Sequence, residues 1–123
     1  MGITPTKPNV DKSGTQSNIY MMDERTHKLL KDAFDDLAYE SAILFGSRAR
    51  GDFVDGSDYD VLVITRSRLT IREKMNRSAA LRRKLADEGI DADIILKSRD
   101  EVDYYRDKIG SVVRMAVQEG VVL

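Results

Sequence analysis

Seven residues, Tyr59–Thr65 (YDVLVIT), limit the possible folds of this chain more than any other stretch. Beyond Asp60 both alternating faces are apolar, and a strand apolar on both faces belongs in the middle of a sheet. A second short apolar run, residues 41–45 (SAILF), ends at Gly46 and reads as a buried strand. A third strand is expected over residues 90–96 (IDADIIL), just past Gly89.

Helical patterns separate these runs. From residue 23 to about 39, Leu29, Leu30, Ala33, Phe34, Leu37 and Ala38 recur at three and four, with Asp23 as N-cap. A second helix is expected over residues 68–88, its buried stripe being Ile71, Met75, Ala79 and Leu85 with Ser78 and Leu81 alongside, and Gly89 as its C-terminal cap. Ser98 and Glu101 have capping-box spacing, so a third helix starts there, runs through Val102 and Tyr105, and breaks near Gly110. Residues 111–119 carry Val112, Val113, Ala116 and Val117 on one side and stop at Gly120, leaving residues 121–123 as an edge strand.

Residues 1–20 hold both prolines and no apolar period, so they read as a flexible arm preceding a domain over residues 21–123. The opening MGITPT matches a myristoylation pattern too short to carry a conclusion. At 123 residues one hydrophobic core is expected. No apolar run approaches the roughly 20 residues needed to span a bilayer, and the absence of cysteine fits the cytoplasm. Twenty Lys and Arg against 21 Asp and Glu leave a net charge of -1, which provides no global field to attract nucleic acid.

The chemistry is concentrated in residues 46–64, GSRARGDFVDGSDYDVLVI. Residues two apart on a strand face the same side, so Asp58 and Asp60 can converge on one cation. With no thiolate available, carboxylate oxygens remain, and these suit Mg2+, which keeps places for substrate phosphate. Gly46 lets backbone approach a phosphate, Ser47 offers a hydroxyl and an N–H, and Arg48 and Arg50 can pair with the phosphates. A two-metal site needs a third carboxylate, for which Asp93 is favoured and Asp91 is the substitute.

This segment resembles the DNA polymerase beta superfamily, specifically its minimal nucleotidyltransferase (MNT) branch. The likeness rests on Gly46, Ser47, Arg48, Ala49, Arg50 and Gly51, then Ser57, Asp58, Tyr59 and Asp60. Ten residues separate Ser47 from Asp58, the Gly-Ser-x10-Asp-x-Asp spacing associated with MNT antitoxins that pair with HEPN toxins. The closing AVQEGVVL, residues 116–123, is similar to the way many such domains end.

The resemblance implies an α/β (α+β) nucleotidyltransferase fold, a mixed three- to four-stranded sheet with helices packed on it. It further implies Mg2+, or Mn2+, held by Asp58, Asp60 and Asp93, and ATP or another nucleoside triphosphate seated on Gly46 and Ser47. The implied reaction transfers AMP to a hydroxyl, with a tyrosine of a HEPN-type toxin protein as the leading acceptor. Transfer to a small molecule or an RNA end, and neutralisation of a partner by binding alone, are the rival readings. No carboxylate beyond the three stands out as general base.

The remaining polar residues have ordinary explanations. Arg66, Arg68, Arg72, Arg82, Arg83 and Lys84 read as a solvated helix face, Tyr104 and Tyr105 as core packing, and Asp52 and Asp55 as loop carboxylates. His27 is expected at the surface, away from the acidic motif.

Overall fold

The structure, a computed structural model, describes residues 22–54 and 56–123; the arm expected over residues 1–20 lies outside them. The elements in chain order are α1 (Glu24–Ala33), a 3-10 turn (Phe34–Asp36), β1 (Tyr39–Phe45), the one-turn helix α2 (Ser47–Arg50) and β2 (Tyr59–Thr65). Then come α3 (Ile71–Asp87), β3 (Ala92–Ser98), α4 (Arg99–Tyr105), α5 (Val112–Glu119) and β4 (Val121–Val122). The four strands form one mixed sheet in the order β3-β2-β1-β4. β1 is antiparallel to β2 and β4, whereas β2 and β3 are parallel, joined by the crossover helix α3.

β2 lies inside the sheet as its sequence requires, and Val61, Leu62, Val63 and Ile64 are all fully buried. Alternate residues feed two cores. On one face Ala42, Leu44, Val61, Val63, Ile94 and Leu96 pack against Leu30, Ala33 and Phe34 and against Leu81 and Leu85 of α3. On the other, Ile43, Phe45, Leu62 and Ile64 meet Val102 of α4 and Val113, Ala116 and Val117 of α5. Each Val, Leu, Ile or Phe side chain among these contributes about 1.5–3 kcal/mol on removal from water, which makes this double burial the main force holding the sheet between its helices.

Several boundaries differ from the sequence reading. Asp23 caps α1 through the Thr26 amide, but the helix stops at Ala33 instead of reaching residue 39. A 3-10 turn tucks Phe34 into the core, and Leu37 turns extended so that Tyr39 can begin β1 opposite Thr65. α3 begins at Ile71, not residue 68, because Thr70 and Glu73 form a capping box. β3 runs two residues later than expected. Ile90 is buried, yet its N–H bonds back to the Leu85 carbonyl as the chain leaves α3, and Lys97 and Ser98 extend the ladder.

The buried face of α3 is also corrected. Leu81 and Leu85 are buried, but Ile71 and Met75 are 77% and 66% exposed and Ala79 faces out. The inward line runs Lys74, Ser78, Leu81, Leu85, and its first two members are polar because they lie along the open edge of β3. Lys74 Nζ pairs with Glu101 at 2.6 Å, the Ser78 hydroxyl donates to the Ile94 carbonyl at 2.8 Å, and Arg82 pairs with Asp93. Residues four apart share a helix face, so one row of side chains covers the strand edge.

Ser98 and Ser111 cap α4 and α5, the former through the expected capping box with Glu101. Val121 and Val122 then pair with Leu44 and Ile43 as an edge strand. By this topology the end of β1, the starts of β2 and β3, and the last residue of α5 meet at one end of the sheet. Among the described residues no helix is long and apolar enough to cross a membrane.

Candidate active site

Gly46 follows the last residue of β1 and has φ 77° and ψ -159°, a backbone region open essentially to glycine alone. A Cβ there would collide with Asp60 Oδ2 and lie 3.2 Å from its Cγ. The turn therefore needs glycine for its backbone shape and for the closeness of the β2 carboxylate. The Ala49 and Arg50 amides bond to the Gly46 carbonyl at 3.0 Å, closing the single turn of α2. Ala49 is buried, and Gly51, at φ 86°, ends the turn. Gly46, Ala49 and Gly51 of the Gly-Ser-x-Ala-Arg-Gly motif thus each have a local cause.

The two arginines of the motif diverge. Arg48 donates to the Ser57 carbonyl through Nε and Nη2 at 3.3 and 3.0 Å, and its guanidinium lies 4.1 Å from the Phe53 ring centre and 4.4 Å from that of Tyr59. The sequence offers it to phosphate; in the structure it clamps the loop between α2 and β2. Arg50 remains at the turn, with Nε 3.1 Å from Asp52 and Nη1 3.1 Å from Glu119.

Asp60 and Asp93 are register partners in the parallel β2–β3 ladder, so their side chains leave the same face of the sheet. Asp58, two residues before Asp60, is exposed at the strand entrance. Asp91 contributes its backbone carbonyl to the Tyr59 amide at 2.9 Å, which leaves Asp93 as the acid beside Asp60. Burial raises the Asp60 pKa above its ordinary value; the charges of Asp93, Asp58 and Glu119 add to the rise, and Arg50 opposes it. Three carboxylates therefore act on Asp60 beside the Gly46 turn.

Glu119 is the member sequence reasoning missed. Its Oε2 accepts the Gly46 amide at 3.2 Å and the Arg50 guanidinium at 3.1 Å. The available signal was the Glu-Gly pair ending the last helix, since a chain that turns into an edge strand beside β1 brings that glutamate to the end of β1.

The donor set is all carboxylate, the right kind for Mg2+ or Mn2+, and the register puts two of the expected ligands side by side. Among the described residues, however, no three His, Cys, Asp or Glu side chains stand close enough together to hold an ion. Asp93 is turned onto Arg82, and Glu119 onto Gly46 and Arg50, so the set fits a metal in donor chemistry while these two side chains are committed elsewhere.

Other expectations resolve simply. His27 is half-buried on α1, where burial and Lys31 lower its pKa. Tyr104 and Tyr105 are exposed and not in the core. They meet edge to face at 4.8 Å, with Lys108 over Tyr104 and Lys97 over Tyr105.

Comparison with known proteins agrees with this fold. A solved chain described as "a putative nucleotidyltransferase from Sulfolobus solfataricus" superposes with a TM-score of 0.55 over 91% of this chain and 90% of its own, at 24% identity, a likeness of fold. A Methanocaldococcus jannaschii protein named "Putative protein adenylyltransferase" is 46% identical over 46 residues, 37% of this chain. That match spans 41% of the relative's length, less than two thirds of it. The family model described as polymerase beta, nucleotidyltransferase matches residues 28–123. With most of its length inside that match, and with Gly46 folded against the first of two paired acidic strands, the chain belongs to the polymerase beta nucleotidyltransferase family.

Proposed function

We propose that this chain is a metal-dependent nucleotidyltransferase that passes AMP from ATP to a hydroxyl of a partner protein, with a HEPN-type toxin as the acceptor. The observation that carries the reading is the placement of Asp60 opposite Asp93, with Gly46 packed against the Asp60 carboxylate. The name of the Methanocaldococcus protein supports a protein acceptor.

In this reading Ser47 and the Gly46 backbone hydrogen-bond the phosphates, Arg50 brings a positive charge to the same turn, and Arg48 stiffens the adjoining loop. Asp58, Asp60 and Asp93 would hold a divalent metal, which would supply positive charge to offset that of the phosphates. The acceptor oxygen forms a bond to the α-phosphorus as the bond to the β-phosphate bridging oxygen breaks. Pyrophosphate leaves, and the acceptor proton goes to solvent.

The test is to incubate the protein with the product of the adjacent reading frame, Mg2+ and ATP labelled at the α-phosphate. The partner should acquire label, and Asp58→Asn with Asp60→Asn should abolish it; label that survives the double substitution refutes the assignment. The commitment of Asp93 to Arg82 and of Glu119 to Arg50 favours a second reading, neutralisation by binding alone. In that case the double variant still neutralises its partner and no label is transferred by either protein.

A further inference from the structure

The carboxylate of Glu119 occupies donors that a nucleotide phosphate would use. One of its oxygens, Oε2, takes both the Gly46 amide, at 3.2 Å, and Nη1 of Arg50, at 3.1 Å, while Oε1 lies 3.4 Å from Nη1. The side chain is 27% exposed, less than its Arg50 partner at 45%.

The backbone holds it there. The Gly120 amide bonds to the Ala116 carbonyl at 2.8 Å, and a Cβ at Gly120 would collide with Ile43 Cγ2 and the Ala116 oxygen. α5 is therefore seated directly on β1, and Val121 pairs with Leu44 immediately afterwards. Only side-chain rotation can move the Glu119 carboxylate off the Gly46 amide. A purely structural ion pair would account for the contact with Arg50, but a partly exposed pair contributes little to stability and does not need the amide. Placing a fourth carboxylate beside Asp58, Asp60 and Asp93 works against stability, as like charges repel.

We propose that Glu119 is a specificity-determining residue of the phosphate seat: it stands in for phosphate in the free protein and screens out polyphosphates that arrive without a divalent cation. A bare polyphosphate must evict one carboxylate and enter the field of three others. The same anion carrying a cation brings the charge that compensates them, so the seat selects the metal complex over the free anion. This rests on reading Gly46 and Ser47 as a phosphate seat.

Calorimetric titration with inorganic tripolyphosphate, first in EDTA and then with Mn2+, tests it on wild-type protein and Glu119→Gln. Glutamine keeps the length of the side chain and an oxygen for the Gly46 amide while removing the charge. In EDTA the variant should bind about tenfold more tightly than wild type, and with Mn2+ the difference should shrink to about threefold or less. Equal affinities in EDTA, with both proteins binding in Mn2+, overturn the role of Glu119 and leave the seat intact. Failure of both proteins to bind under either condition removes the seat itself, and with it the proposed function. If Glu119→Gln does not melt like wild type, Glu119→Ala takes its place with the same expectations. In wild-type protein, at one subsaturating concentration of tripolyphosphate, the Gly46 amide resonance should shift further with diamagnetic Mg2+ than in EDTA; a shift of equal size in both overturns the proposal.

Discussion

Arg82 reaches from α3 around the outer side of β3 to hold the carboxylate of Asp93, the acid that faces Asp60 across the parallel ladder. About half of each side chain is exposed, so the pair itself adds at most about 1 kcal/mol to stability. Under the proposed function its larger effect is on what Asp93 is free to bind. Arg82→Gln is expected to melt within a few degrees of wild type and to bind Mn2+ about threefold more tightly, since a competing cation is gone. Weaker Mn2+ binding would instead mean that Arg82 holds Asp93 in its ligand-binding pose.

Gly46→Ala should fail twice. The backbone at φ 77° and ψ -159° excludes a side chain at a cost of about 1–3 kcal/mol, and the added methyl would push on Asp60. The expected result is a lower melting temperature together with loss of ATP binding by calorimetry. An alanine variant that binds ATP with wild-type affinity would show that the closeness of this turn to Asp60 is not required.

Asp60 makes stability depend on pH in a defined direction. Burial, then its acidic neighbours, raise its pKa in the folded protein above the unfolded value. Between those two values the native state holds a proton that the unfolded state has released, so stability falls as pH rises through the window. Ionised Asp60 therefore opposes folding at neutral pH. Asp60→Asn should melt higher than wild type at about pH 7, and the advantage should disappear at about pH 3, where both states are protonated. Thermal melts across that range check it, and an advantage that grows on acidification would contradict the assigned cause.

The face of α3 can be tested by paired substitutions. Leu85→Ala, emptying a fully buried position, should cost about 2–5 kcal/mol, whereas Met75→Ser should fall within about 0.5 kcal/mol of wild type. Urea unfolding of both distinguishes the observed face from the apolar stripe through Ile71, Met75 and Ala79 that the sequence suggests.

That stripe shows where sequence reading loses its grip. Periodicity counts apolar residues, but the inward row of α3 begins with Lys74 and Ser78, polar because they serve the edge of β3. β2 was legible in full, since four consecutive apolar residues leave a strand no choice but burial on both sides. The spacing of Asp58 and Asp60 and the glycine turn were legible for a similar reason, each being dictated by local geometry. Glu119 and the diversion of Arg48 were not. One depends on which strand β4 chooses to pair with, the other on Phe53 and Tyr59 closing over a guanidinium, and both are properties of the assembled sheet end.

β3 lies at the margin of the sheet, braced on its outer side by Lys74, Ser78 and Arg82. Peeling of that one margin would carry Asp93 away while the antiparallel β1–β2 pair kept Gly46 and Asp60 in place. Under the proposed function, such peeling would remove one metal ligand while most of the core stayed folded, so activity on warming would depend on how firmly one helix grips one strand.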